Sequence, residues 1–198
     1  LEGAKQILME RFSEDAALVG RLREHLWQRG ELRSKVFEDK SSEAEKFQDY
    51  FDYAELIKNI PSHRALAAFR GRKEGFLALA IGTSGLEEGE TDPCEQIIAD
   101  HFSVHDQGRA ADKWLREVVR WTWRIKLLMH LETDLLGKLR DDSQAEAIRV
   151  FAENLKAILL ASPAGNKVTI GLDPGLRTGV KVSVVDHTGK YLEDTAIF

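Results

Sequence analysis

The sequence holds a single cysteine, Cys94, which excludes an intrachain disulfide and any metal cluster built on several thiolates. A reducing compartment suits such a chain. No uninterrupted apolar run approaches the roughly 20 residues needed to span a bilayer. Leu1-Glu2-Gly3-Ala4-Lys5 also lacks the charged-then-apolar order of a secretory signal, so a cytoplasmic location and no membrane partner are expected. A surplus of positive charge is missing too. The formal net charge is -5, so any contact with nucleic acid must rest on local patches. Internal repeats and low-complexity tracts are absent. What the chain does have is 43% hydrophobic content over 198 residues, which argues against disorder and suffices for one or two domains.

Residues 1 to about 162 read mostly as helix. Ser13 can cap a helix carrying Leu18, Leu22 and Leu26 at one-turn spacing, and Gly30 is placed to end it. Ser42-Glu43-Ala44-Glu45 has the spacing of a capping box, and Phe47, Tyr50 and Phe51 give the next segment an apolar side. Pro61 is a stop. Ser62 then caps a short helix with Ala65, Leu66 and Phe69 inward, closed by Gly75. Phe76 to Ile81 is a short apolar run between two glycines and reads as a strand. Gly82 to Pro93, with Glu87, Glu88, Glu90 and Asp92, reads as a solvated acidic linker.

A short helix is expected over 94–102, and Asp106 can cap the longest one. Its Trp114, Val118, Trp121, Ile125 and Leu128 form a stripe expected to be buried, running until Gly137. Asp142 or Ser143 starts a further helix with Ile148, Phe151, Leu155, Ile158 and Leu159 on one face. Ser162-Pro163-Ala164-Gly165-Asn166 breaks it, which divides the chain into 1–165 and 166–198.

Beyond that break, Val168, Ile170 and Leu172 alternate with Thr169 and Gly171, as in a half-buried strand. Pro174 fixes φ and Gly175 supplies backbone freedom, so Asp173 is expected where the strand gives way to a turn, aimed out of the sheet end. Val180, Val182 and Val184 continue as a second strand. Asp186-His187-Thr188-Gly189 turns the chain again, and Tyr191, Leu192, Ala196 and Ile197 begin a third. The result is a β-meander.

Three readings compete at Asp173. A metal-dependent phosphodiesterase would use it as one ligand of a Mg²⁺ pair, which requires three or four carboxylates. No suitable companions come after it within the chain, and Asp186 lies in the turn at the far end of its strand. A phosphate loop of the sugar-kinase and actin kind would use the turn amides, Thr178 and Arg177, but needs a second loop that is not visible. The plain structural reading makes Gly175 and Gly179 turn and strand glycines, with Asp173 accepting from turn amides.

Two basic groups, together with Arg177 of the C-terminal motif, are candidates for nucleic-acid contact. Arg64, Arg70, Arg72 and Lys73, with His63, are compact and have Glu74 as their nearby acid. Arg109, Lys113, Arg116, Arg120 and Arg124 recur at spacings of three and four on the long helix, beside a Trp123 that could stack on a base. The same stripe also reads as a solvated face paired with Asp112 and Glu117, with Trp123 packed between helices. His101 and His105 are one turn apart, but no glutamate lies between them and the helix ends there. No metal site and no cofactor are expected.

Gly171-Leu172-Asp173-Pro174-Gly175-Leu176-Arg177-Thr178-Gly179-Val180-Lys181 resembles the opening of the YqgF, RNase H-like domain of the Tex family of bacterial transcription accessory proteins. Pro61-Ser62-His63-Arg64-Ala65-Leu66-Ala67-Ala68-Phe69-Arg70-Gly71-Arg72-Lys73-Glu74-Gly75 and Phe47-Gln48-Asp49-Tyr50-Phe51-Asp52-Tyr53 resemble that family's helical region. The resemblance implies a mainly α fold: a multi-helix region followed by an antiparallel β-meander that begins an RNase H-like α/β domain. It also implies a cytoplasmic protein that associates with transcription machinery and binds RNA or DNA, in an architecture continuing into helix-hairpin-helix and OB-type domains. Similarity to RuvC-type resolvases carries over only the first carboxylate, Asp173. A binding or scaffolding role without catalysis is therefore expected, with a Mg²⁺-dependent nuclease as the alternative and an actin-like nucleotide fold as a more distant one.

Overall fold

The computed structural model describes residues 1–83, 91–162, 165–175 and 177–198. Glu87, Glu88 and Glu90 of the acidic loop, Pro163 and Ala164 of the break, and Leu176 of the turn lie outside them. The chain forms two compact units, Leu1–Arg149 and Val150–Phe198. It is mainly α, with a three-stranded antiparallel meander at its C-terminal end.

The first unit opens with α1 (Glu2–Ser13) and α2 (Ala16–Arg29). Asp15, rather than Ser13, caps α2, by accepting from the Leu18 N–H at 2.8 Å. The Leu18, Leu22 and Leu26 face is fully buried, as its spacing predicts. Gly30 ends the helix and at once starts a strand, β1 (Gly30–Val36). With β2 (Asp52–Leu56) and β3 (Leu77–Thr83) it makes an antiparallel sheet in the order β2-β1-β3. The run after Gly75 is thus a strand, whereas β1 and β2 fall where the sequence reads as helix. The inward positions of β1 are Gly30, Leu32 and Ser34, and only one of these is a large apolar residue, so the period of two is hidden. Ser34 is buried because its hydroxyl donates to the Tyr50 carbonyl at 2.8 Å. The capping-box segment forms only a short 3-10 helix, Glu45–Tyr50, without a side-chain cap.

Helix α3 (Ser62–Lys73) comes directly after Pro61, and Gly75 turns the chain with φ 77° into β3. Helix α4 (Pro93–His101) is capped by Asp92, whose carboxylate accepts from the Cys94 N–H at 2.8 Å. The outer edge of β3 is closed by Glu132, which accepts from the Ile81 N–H at 2.8 Å.

The long helix departs most from the sequence pattern. It begins at Asp112 rather than at Asp106, and α5 (Asp112–Trp121) runs through a π-helical segment, Thr122–Leu127, into α6 (Leu128–Leu159). Neither Gly137 nor Asp142 interrupts it; one glycine in a helix interior costs about 1 kcal/mol and long helices absorb that. Val118 and Val119 set the inward face before the π turn, which shifts the spacing of the residues that follow. Val118, Val119, Thr122, Trp123, Leu127, Leu131 and Leu135 are buried, whereas Trp121 and Ile125 of the expected stripe are exposed. The core that includes Trp123 also holds Leu22, Leu32, Ile81, Ile98 and Phe12, whose ring stacks on Phe102 with centroids 3.9 Å apart. Among the described residues no helix is long and apolar enough to cross a membrane.

The second unit holds the end of α6, whose Ile148, just before the unit begins, and Phe151, Leu155, Ile158 and Leu159 are exposed rather than packed. The meander consists of β4 (Thr169–Gly175), β5 (Gly179–Val185) and β6 (Tyr191–Ile197), in the order β4-β5-β6. Cross-strand pairing places Ile170, Leu172, Val180, Val182, Val184 and Ile197 on one face.

Candidate nucleic-acid interface

The cations of α3 separate by partner. Arg64 donates to Glu55 of β2 at 3.3 Å, and Glu55 in turn holds the Tyr53 hydroxyl. Burial, then the Glu55 hydrogen bond, pushes the Tyr53 phenol well above its usual range. Arg70 donates to Glu74 at 2.7 Å. Glu74 also pairs with Lys46, and the Lys46 hydrogen bond, followed by that of Arg70, lowers its carboxyl. Arg72 and Lys73 remain, both exposed and without a hydrogen-bond or ion-pair partner among the described residues.

Tertiary structure adds to these two. Lys40 donates its ammonium to the Gly75 carbonyl at 3.0 Å, and Lys46 reaches Glu74, so both join the last turn of α3 from a distant stretch of chain. Phe37 lies beside them, 44% exposed, its ring 5.9 Å from the Lys40 ammonium and its N–H donating to the Phe76 carbonyl. Cations at a helix C-terminus also complement the helix dipole. The sequence reading missed Lys40, Lys46 and Phe37, because nothing local links residues 37–46 to 70–75.

The second stripe is largely neutralised. Arg109 lies before α5 and pairs with Asp112 at 2.8 Å, Arg116 pairs with Asp106 at 2.7 Å, and Arg124 approaches Glu95 at 3.4 Å. Lys113 and Arg120 have no partner among the described residues. They line an open groove of about 590 Å³ that also presents Glu95, Asp106 and Glu117, a mixture of signs ill suited to a continuous polyanion. Trp123 is unavailable for stacking. It is buried, and its indole N–H donates to Asp92 at 2.9 Å. His101 ends α4 and contacts Asp15 at 3.3 Å, whereas His105 lies beyond the helix.

Asp112 ties the start of α5 to the loop before it. Its buried carboxylate accepts from the Gln107 N–H at 2.7 Å, the Arg109 N–H at 2.9 Å and the Arg109 guanidinium at 2.8 Å. The Gln107 amide is the largest cause of a carboxyl held below its ordinary 3.8, with Arg109 adding to it. A depressed carboxyl stabilises the fold fully above its unfolded value and loses that contribution as pH falls through the folded one. Urea unfolding of Asp112→Asn should therefore show lower stability than the parent at neutral pH, and a gap that narrows below about pH 4. A constant gap would mean that the carboxylate charge is irrelevant.

At the C-terminal motif, β4 continues two residues beyond Asp173 and pairs with β5 as far as Gly175↔Gly179. Asp173 therefore stands on a sheet face opposite Lys181 instead of at the strand end. Pro174 is compatible with this because β4 is an edge strand, where a missing N–H leaves no ladder bond unmade. The left-handed glycine is Gly179, with φ 69°, while Gly175 is needed for space, since a Cβ there would overlap the Thr178 hydroxyl. Arg177 is exposed in the turn. Asp194 shares the Asp173 face from β6 but is hydrogen-bonded by Tyr191. Asp186 accepts from the Thr188 N–H and hydroxyl and the Lys190 N–H, and so serves its own turn.

A multi-helix region followed by a three-stranded antiparallel meander is the architecture the Tex resemblance implies, and the sheet β2-β1-β3 of the first unit comes in addition to it. The model of the Tex central region-like family matches residues 1–151, and that of the Tex protein YqgF-like domain matches residues 167–198. The chain belongs to the Tex family. It is 52% identical over 200 residues to Protein YhgF of Escherichia coli and 49% identical over 200 residues to the transcriptional accessory protein Tex of Neisseria gonorrhoeae. Both matches cover 100% of this chain and 26% of the relative, so the chain spans about a quarter of their length. An S1 RNA-binding domain-containing protein 1 of Pongo abelii is 26% identical over 204 residues, covering 99% of the chain and 20% of that protein.

Proposed function

We propose that this segment is a non-catalytic nucleic-acid-binding and scaffolding part of a cytoplasmic transcription accessory protein, acting beside the transcription machinery. The observation that carries the reading is the end of α3, where Arg72 and Lys73, without a partner among the described residues, stand with Lys40, Lys46 and exposed Phe37. Ammonium and guanidinium groups there can hold phosphates while the phenyl ring takes a base. The names of the relatives, transcriptional accessory and S1 RNA-binding, support the same assignment.

Charge reversal at the two unpaired residues tests it without disturbing an ion pair. Arg72→Glu with Lys73→Glu should weaken binding of a single-stranded RNA or DNA oligonucleotide about tenfold or more and flatten the salt dependence by about two counterions. Unchanged affinity in the double variant would make the patch structural.

The non-catalytic part rests on the surroundings of Asp173, with Lys181 opposite and Asp194 engaged by Tyr191. No Mg²⁺-dependent cleavage of branched or single-stranded nucleic acid is expected from the chain. Reproducible cleavage that disappears in Asp173→Asn would establish the nuclease alternative instead.

A further inference from the structure

Turning Trp123 inward has a counterpart on the opposite side of the helix. Trp121 just before the π-helical segment, Ile125 within it and Met129 just after it are 42%, 52% and 69% exposed, at successive four-residue steps. They form an apolar ridge about 12 Å long, two helical turns. Isolated exposed apolar residues are ordinary, but three in a row beside a π turn mark a surface with a use. The ridge is also held in place. At its Trp121 end, the indole N–H donates to Glu117 at 3.2 Å and the Lys5 ammonium of α1 sits 4.3 Å from the ring centroid, so that side chain has little entropy left to lose on binding. A shallow concavity of about 420 Å³ is lined by Glu117, Arg120, Trp121, Arg124 and Ile125.

We propose that this ridge docks an acidic amphipathic helix of a partner protein. Charge complementarity selects the partner. Arg120 and Arg124 border one flank, and Lys126 stands next to Ile125 on the other by helical rotation, with Glu117 already engaged by Trp121 and Lys5. Arg120 and Lys126 have no ion-pair partner among the described residues, although the chain as a whole carries a net charge of -5. A helix presenting apolar residues one turn apart, with carboxylates beside them, would bury Ile125 and Met129 and neutralise both flanks. A nucleic-acid strand fits less well, because Ile125 and Met129 offer no aromatic face to a base. A second copy meeting ridge to ridge would oppose like charges. The ridge shares no residue with the α3 patch.

The test is fluorescence anisotropy on the 198-residue chain with a labelled synthetic helical peptide bearing leucines at four-residue steps and flanking glutamates. The acidic peptide should bind, and its Glu→Lys counterpart should bind about tenfold more weakly or worse. Ile125→Asp with Met129→Asp should weaken binding about tenfold, and Arg120→Glu with Lys126→Glu should do likewise and remove the salt dependence. All four positions are exposed, and thermal melts should match the parent. Equal binding of both peptides, no binding of the acidic one, or undiminished binding by the ridge variants would overturn the proposal. So would loss of RNA binding in the Ile125/Met129 variant, since that would make the ridge a nucleic-acid face. Peptide binding retained by Arg72→Glu with Lys73→Glu separates this surface from the α3 patch.

Discussion

Trp123→Ala should destabilise the first unit by about 3–5 kcal/mol, among the largest effects a single substitution can have on it. Trp123 is 2% exposed and belongs to the main core, and the π segment that carries it packs against α1 and α4. Truncation removes the transfer free energy of the ring and leaves a cavity that rigid neighbours close only in part. It also takes the donor from Asp92, which lies 31 positions earlier and still has the Cys94 N–H to accept. Trp123→Phe separates the two contributions: it keeps most of the volume and should cost about 1 kcal/mol for the missing hydrogen bond plus a smaller packing loss. Urea unfolding of the three proteins reads both. A cost near zero for the alanine variant, combined with weaker RNA binding, would return Trp123 to the base-stacking role that its burial excludes.

The second large effect is expected at the junction of α2 and β1. Gly30 donates its N–H to the Leu26 carbonyl to end the helix and is paired with Thr83 as the first residue of the strand, so no linker residue absorbs a change. Its φ of -75° is open to any amino acid. The obstacle is space: a Cβ there would overlap the Leu26 carbonyl oxygen and crowd the Ile57 δ-carbon at 3.3 Å. The carbonyl belongs to backbone already bonded to Gly30 itself, so relief means shifting the helix end or the strand. Gly30→Ala should therefore cost about 2–3 kcal/mol, the upper part of the range for overpacked sites. Gly137→Ala is the control, since nothing lies within 4 Å of a Cβ there and removal of a helix-interior glycine should stabilise by about 1 kcal/mol or less. Equal effects at the two positions would show that backbone entropy, and not the close approach, governs Gly30.

How far the sequence was readable depends on the range of the interaction that decides each feature. The Leu18, Leu22 and Leu26 face, the stop at Pro61, the turn at Gly75 and the meander rest on contacts within a few residues, and those were legible. Strand β1 was not, because Ser34 becomes an inward residue only through the carbonyl of Tyr50, 16 positions away. The long-helix stripe misled for a different reason. Val118 and Val119 set the inward face before the π segment, which leaves Trp121 outside it, and the π segment at Thr122–Leu127 then shifts the period for Ile125 and the residues after it. The candidate interface shows the same division. Arg72 and Lys73 were visible as a cluster, but which cations of α3 stay unpaired depends on Glu55 and on Lys46, and neither belongs to that helix.

By itself the sequence determined the family, the mainly helical character with a terminal meander, and the positions at which cations cluster, because these come from local composition, periodicity and motif order. Only the tertiary structure decided which of those cations are neutralised, which tryptophan lies in the core and which on the surface, and that Asp173 faces Lys181 instead of the end of a sheet. The first two depend on partners brought from elsewhere in the chain and on a change of helical pitch, and the third on a hairpin register that carries β4 past Pro174 to Gly175, and none of these is encoded in the spacing of neighbouring residues.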